Sequence, residues 1–87
     1  METLIEETIS ERFNPEHLTI KVDYEYIRTY QITLICKHLP IESGLLTKTI
    51  VFSYNWTNNF MFSNNIEQLY YEIVSMLKKE GVWYYVK

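Results

Sequence analysis

The chain has no alanine, and among its 87 residues only two glycines, two prolines and one cysteine. The shortages of cysteine and glycine each close off a class of protein. With Cys36 alone no internal disulfide can form, so a small disulfide-stapled scaffold is excluded and nothing points to an oxidising compartment. Glycine at positions 44 and 81 only excludes a glycine-rich phosphate loop, and no serine lies in a nucleophile-elbow pattern. Basic residues are few and dispersed (Arg12, Lys21, Arg28, Lys37, Lys48, Lys78, Lys79 and Lys87) within a formal net charge of −3. Without a polybasic run there is little to displace counterions from nucleic acid or to meet anionic lipid headgroups. No apolar run approaches membrane-spanning length, and Met1-Glu2-Thr3-Leu4-Ile5-Glu6-Glu7 is acidic where a signal peptide would be basic. The expected compartment is the cytoplasm, that of the host if the gene is viral. Asn55-Trp56-Thr57 matches a glycosylation acceptor, but that pattern requires a secretory route.

What is present is a balanced globular composition, 47% hydrophobic and 22% charged, with 16% aromatics that include eight tyrosines and two tryptophans. Large rings suit a short chain, since each can bury roughly 150–250 Å². The length fits one domain spanning residues 1–87. The wealth of isoleucine, asparagine, lysine and tyrosine follows AT-rich codons, which points to an AT-rich genome such as that of a low-GC bacterium, its phages or another virus.

Periodicity divides the chain into five elements. Thr3 and Glu6 have capping-box spacing, and Leu4, Ile5, Ile9, Arg12 and Phe13 recur at helical intervals, which predicts a helix from about Thr3 to Phe13, stopped by Asn14-Pro15. From Leu18 the period becomes two. Leu18, Ile20, Val22, Tyr24 and Tyr26 alternate with polar residues, then Tyr30, Ile32, Leu34 and Cys36 do so, then Leu46, Ile50, Phe52, Tyr54 and Trp56, which predicts three strands. A three-residue connection at Ile27-Arg28-Thr29 would pair Tyr26 with Tyr30, Tyr24 with Ile32 and Val22 with Leu34, keeping every apolar residue on one side. Pro40-Ile41-Glu42-Ser43-Gly44 reads as a loop. Asn64 and Glu67 repeat the capping-box spacing ahead of an apolar stripe of Ile66, Leu69, Tyr70, Ile73, Val74, Met76 and Leu77, with Lys78 and Lys79 at the negative helix end and Gly81 as C-terminal cap. Val82 to Val86 alternates again, as a short fourth strand or packed tail would. The expected fold is therefore α+β: a three-stranded antiparallel sheet with two helices on one face, in the order α-β-β-β-α.

Chemistry-bearing residues are sparse. Cys36 and His38 are two apart and would share a strand face, the minimum for an activated thiolate or for two zinc ligands, but a structural zinc needs about four. Asp23 and Glu25 would also share a face, among Lys21, Lys37 and several threonines that make it an ordinary solvated surface. No metal, cofactor or catalytic set is expected, and the chain reads as a non-enzyme.

The element order resembles that of the double-stranded RNA-binding domain. That family meets phosphate with a lysine-rich start to its second helix; here the corresponding stretch is Asn64-Asn65-Ile66-Glu67-Gln68, so the resemblance implies the topology and not the RNA contact. Several small phage-encoded inhibitors of CRISPR nucleases also look like a three-stranded sheet flanked by helices, a likeness of fold alone.

The placement of the rings is more telling. In the expected register Tyr24, Tyr26, Tyr30, Tyr54 and Trp56 gather at one end of the sheet, Phe60, Met61 and Phe62 follow directly, and Trp83 and Tyr85 could extend the group. Such a cluster serves either as part of a small core or as a binding patch of the kind that dominates protein hot spots. Ile27, Ile35 and Val51 form a second apolar set on the otherwise polar sheet face. The expected function is a small protein-binding module, monomeric or homodimeric, such as a phage or mobile-element inhibitor that occludes a host protein. The alternative is a nucleic-acid binder that stacks bases on the tyrosines.

Overall fold

The computed structural model describes residues 1–41, 44–57 and 61–81; of 38–41 and 44–46 it describes the backbone course alone. Helix α1 (Glu2–Ser10) is followed by strands β1 (Leu18–Tyr26), β2 (Thr29–Ile41) and β3 (Gly44–Asn55) and by helix α2 (Phe62–Lys79). The strands form one antiparallel sheet in the order β1-β2-β3. This is the α-β-β-β-α architecture that the periodicities predict.

Rows of paired residues show why the sheet is two-sided. Ile20, Leu34 and Ile50 lie side by side across the strands, as do Val22, Ile32 and Phe52, and Tyr24, Tyr30 and Tyr54. These rows face the helices, and with Ile5 and Ile9 from α1, Phe13 just beyond it, and Ile66, Leu69, Ile73 and Leu77 from α2 they make one continuous core. The opposite rows are Thr19, Ile35 and Thr49; Lys21, Thr33 and Val51; and Asp23, Gln31 and Ser53. Alternate side chains of a strand point to opposite faces, so the sequence alternation becomes directly a buried and an open side.

Several boundaries differ from expectation, each because a tertiary contact competes with a local one. Helix α1 ends at Ser10 rather than Phe13. The chain then tightens through turns that bond Phe13 N–H to Ser10 C=O, and Phe13 is buried past the helix end, its ring 5.5 Å from that of Tyr70. Leu4, expected on the apolar stripe, is exposed. Neither capping box forms: α1 and α2 are preceded by Met1 and Met61, with no side-chain cap bond. The glutamates of both boxes are used elsewhere. Glu6 accepts the Val22 backbone N–H at 2.9 Å, and Glu67 pairs with Arg12 at 2.7 Å. Gly81, as expected, ends α2 with φ +78°, where a residue without Cβ bears no steric penalty.

The β1–β2 register is also displaced by two residues. Val22 lies opposite Ile32 and Tyr24 opposite Tyr30, while a bulge leaves Glu25 without a partner before Tyr26 meets Thr29. The connection is the two residues Ile27 and Arg28, with Arg28 in the left-handed region at φ +56°. A slide of two keeps every side chain on its face, so sidedness alone cannot distinguish the two registers. Pro40 and Ile41, read as loop, belong to β2, which pairs with β3 as far as Ile41 opposite Gly44. The hairpin thus runs beyond β1, whose pairing stops with Leu18 opposite Cys36. The expected strand at 82–86 lies outside the described residues.

Candidate binding site at the hairpin end

The aromatic end of the sheet is built by the three strands and the start of α2. Tyr24 and Tyr30 meet across β1 and β2 with ring centroids 5.8 Å apart and nearly perpendicular planes. Tyr30 stacks edge-on against Trp56 at 6.1 Å, and Trp56 in turn contacts Tyr54 at 6.2 Å and Phe62 at 5.5 Å. Edge-to-face pairs at these separations are favourable beyond the area they bury, because the positive rim of one ring meets the negative face of the next. Five of the nine sequence-predicted residues therefore do come together. Phe60, Trp83 and Tyr85 lie outside the described residues, and Tyr26 does not join the group. The bulge at Glu25 breaks the alternation and puts Tyr26 opposite Thr29, on the face away from Tyr24.

Burial divides the cluster. Tyr30 and Tyr54 are core residues, 7% and 3% exposed, and Trp56 and Phe62 are half-buried against them. Tyr24 is 53% exposed, and nearby Tyr26 (64%), Ile27 (73%) and Met61 (72%) project into solvent. The two readings of the rings thus hold for different members: the inner rings are core, and the outer ones are surface supported by that core.

A polar clamp, unforeseen in the sequence, holds this end to α2. Asn65 is fully buried. Its Oδ1 accepts the Tyr54 hydroxyl at 2.9 Å and the Thr57 N–H at 3.0 Å, and its Nδ2 donates to the carbonyls of Thr57 at 3.0 Å and Met61 at 3.5 Å. Both lone pairs and both protons of the amide are occupied. The signal was there as an asparagine on the first turn of a helix, but the adjacent Asn64 has the capping-box spacing and drew the assignment. Burial raises the Tyr54 hydroxyl pKa from its usual 10.0 to about 12, with the Glu72 carboxylate adding to the effect. Tyr30 is raised as well, by burial first and then by Glu2 and Tyr24.

Carboxylates border the cluster. Glu2 accepts the Tyr24 N–H at 3.2 Å, and Glu25 accepts the Ser53 hydroxyl at 3.4 Å across the open face. Arg28 at the turn is exposed, and its carbonyl accepts the Trp56 N–H at 2.6 Å, fastening the turn to the end of β3.

The other candidates have less to offer. Cys36 is buried, and burial raises its thiol pKa, partly countered by Lys48, which is the opposite of activation. The His38 side chain lies outside the described residues. Asp23 and Glu25 are both exposed, with no enclosed site around them among the described residues. Among the described residues, no group of three or more potential metal ligands occurs, and no helix is long and apolar enough to cross a membrane. An open depression bordered by Glu7, Ser10, Glu11, Phe13 and Pro15 is too wide to exclude water from a reacting group. The first turns of α2, where the double-stranded RNA-binding domain has its lysines, present Asn64, Glu67 and Gln68 to solvent and bury Asn65 and Ile66.

No protein-family model matches this chain, and neither does any curated protein or any solved structure.

Proposed function

We propose that the chain is a small stoichiometric binder that docks on another protein through its aromatic hairpin end and acts by occlusion rather than by chemistry. An inhibitor carried by a phage or mobile element, directed at a host protein in the cytoplasm, fits this reading. One observation carries it. Tyr24 is more than half exposed, yet it is braced edge-on against buried Tyr30, which leads through Trp56 into the core. A ring held this way presents apolar area without losing much freedom when it is covered, which is the property that makes Tyr and Trp frequent hot-spot residues. Ile27 and Met61 add exposed aliphatic surface nearby.

The nucleic-acid alternative uses the same rings for base stacking. The carboxylates of Glu2 and Glu25 at this end disfavour a polyanion, and Arg28 is the single cation at the turn.

The test is affinity capture from a low-GC bacterial lysate, with the wild-type chain against Tyr24→Ala, Tyr26→Ala and Ile27→Ala. Tyr30 and Trp56 make poor probes because their truncation would damage the core. The expected result is that at least one variant keeps its circular dichroism and thermal midpoint while retention of a specific partner falls tenfold or more, on the order of 1.4 kcal/mol or above. If all three variants keep every partner, the hairpin end is not the docking surface. Retention of nucleic acid that falls steeply with salt would favour the alternative.

A further inference from the structure

The two edges of the sheet are treated differently. On β1 the outward amides of Val22 and Tyr24 donate to the Glu6 and Glu2 carboxylates of α1, at 2.9 and 3.2 Å. That edge is occupied, and acidic side chains lie across it. On β3 no strand pairs with the outer side among the described residues.

The ladder identifies which β3 groups point outward. Because Val22 and Tyr24 point away from β2, their partners Ile32 and Tyr30 must bond toward β3, to Phe52 and Tyr54. The Lys37 N–H bond to His17 C=O and the Trp56 N–H bond to Arg28 C=O follow the same alternation. The outward backbone groups of β3 are therefore those of Thr49, Val51 and Ser53, all with exposed side chains. The usual guards of a free edge, proline or an outward lysine, are missing from Thr47 to Asn55: the one lysine, Lys48, bonds toward β2 and is paired with Glu80 at 3.3 Å.

We infer that the β3 edge is a self-association surface, on which β3 of a second copy pairs antiparallel about a two-fold axis at Val51. The self-complementarity of the strand supports a second copy as the occupant. With Val51 opposite its own symmetry mate, Thr49 meets Ser53 and Thr47 meets Asn55 on the open face, while Ile50 meets Phe52 and Lys48 meets Tyr54 on the helix side. No like charges oppose one another, and every outward N–H and C=O from 49 to 53 gains a partner. The register also explains the apolar residues on the polar face. Val51, 54% exposed, lies diagonal to Ile35, which is half-buried. Pairing would bring Val51 and Ile35 of both copies into one apolar strip. Because the β1 edge is already covered by α1, the assembly closes as a dimer with one continuous six-stranded sheet and does not extend into a fibre. This inference is independent of the aromatic hairpin end.

A single strand edge is a small interface, at or below about 1,200 Å², so association in the micromolar range is expected. Sedimentation velocity of the full chain from ~1 to ~300 µM is expected to show the mass rising to twice that of the monomer. Val51→Lys and Val51→Glu each put like charges face to face on the axis without touching the core, and each is expected to stay monomeric and folded. Mixed in equal amounts they are expected to recover the dimer, now as a heterodimer. Hydrogen exchange adds a readout that does not depend on variants: the Thr49, Val51 and Ser53 amides should be protected at high concentration and lose protection on dilution. Wild-type monomer mass throughout the range would overturn the inference. So would a dimer that survives Val51→Lys, or protection of those amides at monomer mass.

Discussion

The Tyr54 hydroxyl donates to Oδ1 of Asn65 across 2.9 Å in a site closed to solvent, joining the end of β3 to the first turn of α2. The same amide pairs with both backbone groups of Thr57, as a neighbouring strand would. One side chain thus replaces the regular partners that the backbone loses where the sheet ends.

Asn65→Ala is expected to cost about 2–3 kcal/mol, because it leaves buried donors and acceptors at Tyr54, Thr57 and Met61 with no partner. Tyr54→Phe removes one neutral bond and should cost about 1 kcal/mol. Urea unfolding of the two variants measures both. Equal costs would mean that the Thr57 contacts contribute nothing.

Arg28 occupies the left-handed region at φ +56° between Ile27 and Thr29, where a side chain carries a steric cost. Arg28→Gly should be neutral or stabilising by up to about 1 kcal/mol, the relief of strain being partly offset by the greater freedom of glycine when unfolded. Arg28→Val should be destabilising, since a β-branched residue tolerates that conformation least. Thermal midpoints of the two variants in one buffer decide the sign.

Two glutamates on α2 pull the pH dependence of stability in opposite directions. Burial raises the Glu72 carboxyl above the usual 4.5, so its contribution is fully present in acid and is lost as pH rises through the folded value. The Arg12 guanidinium, hydrogen-bonded to Glu67, holds that carboxyl below 4.5, so its contribution is present above the usual value and is lost as pH falls through the folded one. Glu72→Gln should therefore raise the thermal midpoint near neutral pH and bring no gain below about pH 4, whereas Glu67→Gln should lower it near neutrality and have no effect in strong acid. A thermal-melt series against pH would show the two variants departing from wild type in opposite directions near neutrality and converging on it in acid.

At the alkaline end, Tyr54 resists ionisation until about pH 12 against an ordinary 10.0. A raised phenol pKa means stability that is whole below the unfolded value and drains away as pH climbs through the folded one. Loss of near-ultraviolet circular dichroism is expected to accompany the last phenolate signal in a titration between those two values. Tyr54→Phe should lose that coincidence.

Legibility in the sequence followed the range of the forces involved. The strand from Leu18 to Tyr26 and the apolar stripe of α2 are visible because side-chain direction repeats every two residues in a strand and every 3.6 in a helix, whatever the partner. The register across Ile27 and Arg28 was not, since pairing Val22 with Ile32 or with Leu34 gives the same two faces. Nor were the roles of Glu6 and Glu67, whose local spacing suits a cap while the carboxylates reach β1 and Arg12 instead. The ring cluster was legible as a group, but not the bulge at Glu25 that separates Tyr26 from it.

The sequence by itself determined the element order, the two faces of the sheet and the absence of a phosphate loop or disulfide, because those follow from the covalent order of side chains. Tertiary structure alone decided which rings are covered, which carboxylates meet the β1 edge and which amides of β3 point outward. Burial and edge pairing depend on what arrives from distant parts of the chain, and the spacing of neighbouring residues carries no record of that.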